Sequence, residues 1–382
     1  MRTFYEFFAG GGMARAGLGQ GWACTFANDF DATKAAIYRD NWGAEEHLYV
    51  GDINAVTATQ LPKEADLAWA SFPCQDLSLA GTYKGLSGER SGTFWPFWEL
   101  MRTLKSQKRA PKIITIENVY GALTASGGKD FQTIAAAFAD AQYRFGAMII
   151  DARHFLPQSR PRFFLIGVRG DLEVPEAIVG SAPVALWHPT RLISAQRNLS
   201  PKAKKKWVWW NLPAPASHLG TVASIIEETP TLVQWHGHQQ TKRLLSMMSK
   251  VNAAKVKAAQ KTGGMHVGTI YKRTRLDESG KKVQRAEVRF DKIAGCLRTP
   301  RGGSSRQTIL VVEGRRIRSR LLSAREAARL MGLPESYRLP SNYNDAYQLA
   351  GDGVAVPVVA HLSEHIFKPI LVGNSVPVLQ AV

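Results

Sequence analysis

The first 170 residues alternate short apolar runs with stretches of helical character, and no other feature restricts the fold as much. Residues 2–8, 25–28, 67–71 and 112–116 read as strands, each closing on a polar loop. Helical segments separate them, the first opening at Met13. Strands joined through helices run parallel, because the crossover returns the chain to the same end of the sheet. Residues 147–150 and 162–168, with a short connection, read as a hairpin-like pair. The expected fold class is therefore α/β, a doubly wound, Rossmann-like parallel sheet. Ligands of such sheets lie beyond the carboxyl ends of the strands. Chemistry is thus expected in the loops after Phe8, Ser71 and Ile116.

The alternation stops near residue 171. Pro, Lys and Trp accumulate, as in Pro201-Lys-Ala-Lys-Lys-Lys-Trp-Val-Trp-Trp210, and glycine pairs punctuate the chain at 263–264 and 302–303. We expect a first domain over 1–184, a smaller, irregular, β-leaning domain over 185–310, and a segment over 311–382 returning to the first domain. Within that last segment Ser323 and Glu326 fit a capping box, and Gly332-Leu-Pro334 fits a helix stop. Residues 354–366 read as an apolar stretch ending in a helix packed on the first domain.

Charge follows the same division. The chain carries +18, and residues 185–310 hold 23 of its 49 basic side chains but only 6 of its 31 acidic ones. The rest is close to neutral. A basic block between neutral blocks is the footprint of a polyanion partner, although a solvated surface would read the same. The tryptophans of 207–210 could stack on nucleic acid or form the small domain's own core. Three cysteines, Cys24, Cys74 and Cys296, make no disulfide framework and point to a reducing compartment. No run of 18 apolar residues is present and Glu6 interrupts the one apolar stretch near the start, so neither a membrane span nor a signal peptide is expected.

Four motifs carry chemistry. The turn Phe8-Ala9-Gly10-Gly11-Gly12 lets a cofactor approach the backbone. Asp29 follows the second strand, where a carboxylate accepts ribose hydroxyls, and Asp52 suits an adenine amino group. Arg15 stands where a dinucleotide fingerprint needs glycine, which disfavours NAD and leaves another adenosine-containing cofactor. Cys74, held after Pro73 at a strand end, suits a nucleophile, although lone cysteines are usually inert. Cys24 and Cys296 read as structural. The glycine-rich stretch 81–92 resembles a lid. Glu117-Asn118-Val119 places a carboxyl near Cys74, where desolvation would let it donate a proton. In an extended chain Gln158, Arg160 and Arg162 share one face. His361-Leu-Ser-Glu364-His365 matches an inverted zinc-protease pattern but lacks a third ligand, so no metal is expected.

Taken in order, Phe-Ala-Gly-x-Gly, Asn28-Asp29-Phe30, Gly51-Asp52-Ile53, Pro73-Cys74-Gln75, Glu117-Asn118-Val119, Gln158-x-Arg160-x-Arg162 and the run from Arg320 to Pro334 resemble the cytosine-C5 DNA methyltransferases of bacterial or phage modification type. The resemblance covers 2–170 and about 295–366, and the basic block falls where that family keeps its target-recognition domain. It implies methyl transfer from S-adenosylmethionine, leaving S-adenosylhomocysteine, to C5 of a cytosine flipped out of double-stranded DNA. It assigns catalysis to Cys74, Glu117, Arg160 and Arg162. It assigns the cofactor to Phe8, Ala9, Gly10, Gly12, Asp29, Phe30, Asp52, Ile53, Phe94 and Asp352. It assigns DNA to Gln75, Ser78, Arg298 and Arg301. Where the family often has Gly-Asn-Ser-Val, this chain has Gly351-Asp352-Gly353-Val354, and a second Gly-Asn-Ser-Val stands at 373–376. The resemblance also implies a cytoplasmic, nucleoid-associated monomer that could accompany a restriction endonuclease. A tRNA cytosine-C5 methyltransferase and an inactive DNA-binding homologue are the competing readings.

Overall fold

A computed structural model describes residues 1–43, 46–73, 91–216, 220–299 and 305–374. Contacts within the chain divide it into two compact units. Unit 1 comprises Met1–Asp151, Pro161–Ala216 and Val354–Val382; unit 2 comprises Ala152–Arg160 and Ser217–Gly353.

In chain order, unit 1 contains β1 (Arg2–Phe7), α1 (Met13–Leu18), β2 (Trp22–Asp29), α2 (Ala32–Trp42), β3 (Leu48–Val50), β4 (Leu67–Ala70), α3 (Phe94–Ser106), β5 (Ile113–Val119), α4 (Lys129–Asp140), β6 (Tyr143–Asp151), β7 (Pro161–Arg169), β8 (Val179–Gly180), α5 (Thr190–Arg197), α6 (Pro201–Lys206) and β9 (Trp209–Trp210). Unit 2 continues with α7 (Val222–Ile225), α8 (His238–Ser246), α9 (Lys250–Lys261), β10 (Met265–Leu276), β11 (Lys282–Arg289), β12 (Thr308–Glu313), β13 (Arg316–Leu321), α10 (Ala324–Leu330) and α11 (Tyr343–Asp352). The chain then returns to unit 1 with α12 (Val356–Leu362) and α13 (Lys368–Gly373).

Unit 1 is built on a seven-stranded sheet of order β3-β2-β1-β4-β5-β7-β6. The five strands from β3 to β5 run parallel. β7 is antiparallel to both β5 and β6, so the hairpin-like pair expected from the sequence is present and makes the sheet mixed. The order reverses between β1 and β4, which opens a crevice at their carboxyl ends. All four residues of β4 and the last four of β1 are buried. Such continuous apolar runs are what a sheet covered on both faces requires.

The aromatic residues of α3 complete the core. Phe94 is fully buried and stacks on Trp98 with ring centroids 5.7 Å apart. Trp98 in turn meets Phe138 of α4 at 4.6 Å. Buried aromatic clusters of this kind stabilise both by area and by ring geometry, and truncating one member costs about 3–5 kcal/mol.

The 185–216 segment belongs to unit 1, not to a separate basic domain. Trp207 packs edge-on against Phe145 and Phe131 at 5.7 and 6.2 Å, and the Trp210 indole N–H donates to the Gly146 carbonyl at 3.1 Å. These tryptophans therefore serve the core of unit 1, where the sequence left open stacking on nucleic acid or a core of the small domain. Residues 311–353 stay with unit 2, because β13 closes the sheet of order β11-β10-β12-β13. The return at α12 does pack on α1 within unit 1. The stretch Tyr343–Gly373 is long and apolar enough by composition to cross a membrane, yet 56% of its most apolar window is buried inside the protein, as in a core helix.

Candidate active site

The turn after β1 is held from below. Gly10 and Gly12 take positive φ, 56° and 76°. A side chain at Gly12 would lie 2.2 Å from the Trp42 indole nitrogen, so only glycine fits. Trp42 at the end of α2 donates to the Gly11 carbonyl at 3.1 Å. Phe8 also has a positive φ of 57°, an uncommon conformation for a bulky residue and a sign that the turn is over-determined by its surroundings.

Beneath the turn lies a polar network that the motifs did not reveal. Glu6 on β1 is 1% exposed; it accepts from the Arg15 backbone N–H at 3.2 Å and from the Tyr38 hydroxyl at 3.1 Å. Tyr38 also faces the Cys24 thiol at 3.5 Å. The Arg15 guanidinium donates to Tyr38, contacts His47 and lies 4.9 Å from the Trp42 ring centroid. Burial pushes the Glu6 carboxyl up to about 7 and the Cys24 thiol up to about 12. Cys24 is thus an inert neighbour of the network. The signal was present as a carboxylate inside an apolar strand, where burial has to be compensated.

Asp29 ends β2. One of its oxygens accepts from the Gly10 N–H at 2.7 Å and the other from the Asp31 N–H at 2.8 Å. It is 7% exposed, and burial raises its carboxyl. Asp29 therefore fixes the glycine turn, and ribose hydroxyls would have to share its remaining lone pairs. Its neighbour Phe30 is 78% exposed, an unusual cost for a large apolar ring. Asn28 donates to the Tyr49 and Gly51 carbonyls and so sets the end of β3. Asp52 is exposed and caps a short 3-10 turn through the Asn54 N–H, while Ile53 is buried. Ala9 is buried beside the turn. Phe94 sits inside the aromatic core described above.

The catalytic candidates divide between the units. Glu117 lies within β5, two residues before its end, not in the loop beyond it. It faces Arg162 of the neighbouring β7 at 3.4 Å, with the two side chains 8% and 15% exposed. Asn118 donates to the Phe72 carbonyl at 3.4 Å, which ties the segment entering Pro73 to the end of β5. Cys74, Gln75, Ser78, Arg301 and residues 81–90 of the lid lie outside the described residues.

Arg160 departs from the expected shared face. It belongs to unit 2 and is 1% exposed. Its guanidinium donates to the carbonyls of Leu297, Gly351 and Gly353 at 3.1, 2.8 and 2.6 Å. Gln158, fully buried, accepts from the Leu297 N–H and donates to the Leu330 carbonyl. The two side chains tie the segment at Leu297 to the ends of α10 and α11, so the geometry makes Arg160 a positioning group. Period-two spacing predicts a face only while the strand continues, and β7 begins at Pro161.

Around Arg160 the glycine pattern has a physical reason. A side chain at Gly351 would lie 2.7 Å from the Thr299 methyl. Asp352 is exposed at the end of α11 and accepts from the Gln348 amide at 3.3 Å. Arg298 is exposed. The second Gly-Asn-Ser-Val begins at the end of α13, where Asn374 closes the helix by bonding Glu173 and Ile370. His361 of the H-x-x-E-H pattern is engaged by the Pro213 carbonyl at 2.8 Å.

Known proteins are similar to this chain in sequence and fold. The type II methyltransferase M.HhaI of Haemophilus parahaemolyticus is 26% identical over 375 residues, 96% of each chain. M1.ScrFI of Lactococcus lactis subsp. cremoris is 25% identical over 372 residues, 95% of this chain and 77% of that one. Among solved structures, a DNMT2 variant of Spodoptera frugiperda has the same fold, with a TM-score of 0.61 at 16% identity over 96% of this chain and all of that one. The C-5 cytosine-specific DNA methylase family matches residues 2–368, a span that takes in both units. A seven-stranded sheet with a glycine turn after β1, a Glu-Asn-Val strand end on β5 and an arginine beside it on β7 is thus carried by a chain that belongs to the C-5 cytosine-specific DNA methylases.

Proposed function

We propose that this protein transfers a methyl group from S-adenosylmethionine to C5 of a cytosine in a short specific sequence of duplex DNA, with Cys74 as the nucleophile. The observation that carries the reading is the meeting of Glu117 and Arg162 at 3.4 Å on neighbouring strands, beside the backbone tie from Asn118 to Phe72. Cys74 follows Phe72 by two residues in the sequence.

Cytosine C5 is a poor nucleophile. Addition of the Cys74 thiolate to C6 breaks the C5–C6 double bond and gives C5 the electron pair it needs. Glu117 would bond N3 and the exocyclic amine, and so hold or protonate the ring as charge develops. Arg162 would bond O2 and carry the matching positive charge. Arg160 holds the backbone at 297 and 351–353 within unit 2. After methylation the C5 proton leaves, the double bond re-forms and Cys74 departs as thiolate. In a paired, stacked cytosine N3 is engaged by guanine and the ring faces at C6 and C5 are covered by the neighbouring bases, so the cytosine is extruded first.

The residues present fit the cofactor. Phe30 offers an exposed aromatic face, Asp29 and Asp52 lie at the ends of β2 and β3, and the Gly10 side has open space where a side chain would stand. When bound, S-adenosylmethionine supplies an electrophilic methyl. The chain's part is to hold it: the glycine turn by close backbone approach, Phe30 by stacking, Asp52 by hydrogen bonding.

The reading carries with it a monomer, since one flipped base needs one site. It also carries action in the cytoplasm, where duplex DNA is available, and pairing with a restriction endonuclease of the same specificity. Bisulfite sequencing of plasmid from cells expressing the chain tests it, beside a Cys74→Ala control. Protected cytosines confined to one short context, and absent from the control, are expected. Protection that persists in the control would sink the mechanism. Protection in neither would move the substrate to RNA, with labelled methyl transfer to tRNA as the deciding assay.

A further inference from the structure

Unit 2 treats its cations in two different ways. Some are paired with carboxylates. Arg273 and Arg275 both reach Glu287, Arg289 pairs with Asp291, and Arg325 and Arg329 share Glu335. Those on α8 and α9 are not. Between Glu228 and Asp277 the chain has nine lysines and arginines and no carboxylate side chain. Lys242 and Arg243 on α8 and Lys250, Lys257 and Lys261 on α9 are exposed, and among the described residues no carboxylate pairs with any of them.

The α9 cations are also aligned. Val256 and Ala259 face the core that α8 and α9 form with Ile270, Val288, Leu310 and Val312. At about 100° per residue, Lys250, Lys257 and Lys261 fall within about 40° of one another on the outer face. Lys250 and Lys261 lie eleven residue steps apart, or about 16 Å at 1.5 Å each, comparable to about five phosphates of one DNA strand at 3.4 Å of axis each. The residues exposed between them include Ala254 and Ala258, so nothing bulky screens the row. Lys255 is turned aside, its ammonium donating to the Val288 carbonyl at 3.2 Å. Lys257 and Lys261 stand four apart, an arrangement that costs a helix about 0.2–0.5 kcal/mol through like-charge repulsion. A helix carrying that cost without neutralisation is suited to a partner that supplies negative charge.

We propose that the outer face of α9 is a docking surface for the phosphate backbone of duplex DNA, one that reads no base. The proposal rests on the reading of the chain as a DNA methyltransferase and adds to it a grip outside the catalytic residues. Lysine suits this use, since it contacts phosphates as a point charge and does not demand bidentate geometry. Such a surface holds the enzyme on non-target DNA and shortens the search for its site.

The test uses the full chain and a labelled 30-base-pair duplex made only of A·T pairs, which offers no cytosine. Each lysine that neutralises one phosphate contributes about 0.9 to the slope of log affinity against log salt. The triple variant Lys250→Gln, Lys257→Gln, Lys261→Gln is expected to lower that slope by about 2 to 3. The same three positions changed to Arg should keep it. Thermal unfolding equal to wild type shows that the loss is not one of folding, and the rate on saturating plasmid should stay unchanged. A slope within about 0.5 of wild type overturns the proposal. So does a slope that falls on tRNA but not on the duplex. Methyl transfer by the unaltered protein, measured separately, decides whether the parent reading has failed instead.

Discussion

Each unit brings an arginine to a glutamate, and the two pairs differ in closure. In unit 2, Arg320 and Glu326 are both fully buried and meet through two bonds, at 2.8 and 2.5 Å. The remaining capacity of Glu326 is taken by the Ser323 and Glu227 backbone N–H groups, and Arg320 also donates to the Glu227 carbonyl. In unit 1, Arg162 and Glu117 meet at 3.4 Å on strands that end at the sheet edge, and both keep some solvent access. A closed pair presents no accessible atom to a substrate. An open pair, at strand ends with solvent access, can be reached by whatever enters. The difference teaches that burial, more than residue type, separates a structural ion pair from a reactive one.

Breaking the open pair should therefore cost activity and spare the fold. Glu117→Gln is expected to lower kcat by about 10²–10⁴-fold, the range of a positioned acid–base group, with unfolding within about 1 kcal/mol of wild type. Single-turnover methyl transfer and urea unfolding on the same preparation check this. Equal losses in both would mean that the unit 1 pair is structural too, and the contrast would collapse.

Breaking the closed pair should do the reverse. Glu326→Ala leaves the Arg320 guanidinium buried without its carboxylate and removes the capping box of α10, with an expected cost of about 3–5 kcal/mol. Protein that survives at low temperature should methylate at close to the normal rate per folded molecule. A stable variant with low turnover would place α10 in the catalytic path.

How much of this was legible follows the same division. The parallel part of the sheet could be read because its strands are continuous apolar runs, and the capping box at Ser323 and Glu326 because its signal is local. Glu117 and Arg162 could be named from their motifs, but their meeting depends on register between β5 and β7, which no local pattern encodes. Arg160 could be named from its motif, but the carbonyls it holds, at 297, 351 and 353, are distant in sequence and no alternation along a strand encodes them. The tryptophans of 207–210 were left between two uses, since an aromatic beside lysines reads alike whether it packs on a sheet or on a base. Glu6 inside an apolar strand signalled a buried carboxylate, but its partners could not be named, because Tyr38, Arg15 and Cys24 are brought together only by the crossing of α1, α2 and β2.

That network gives the smallest of the expected effects and the most direct reading of burial within unit 1. Desolvation raises the folded-state Glu6 carboxyl to about 7, against an ordinary value near 4.5. The Arg15 N–H, the Tyr38 hydroxyl and the Arg15 charge pull the other way, and Asp29 adds to the rise. A carboxyl raised in the folded state binds a proton that the unfolded chain has already lost. Its contribution is fully present below about 4.5 and is lost as pH rises through about 7. The loss amounts to about 3 kcal/mol at 1.36 kcal/mol per pH unit of displacement. Glu6→Gln keeps the hydrogen-bonding shape and cannot ionise. Urea unfolding at pH 5 and pH 8 should show wild type losing about 3 kcal/mol more than the variant over that interval. If the two fall in parallel, Glu6 is ionised throughout and its bonds to Arg15 and Tyr38 outweigh its burial. The turn that carries Gly10 and Gly12 would then rest on a charged foundation, and cofactor affinity, not stability, would be where pH is felt.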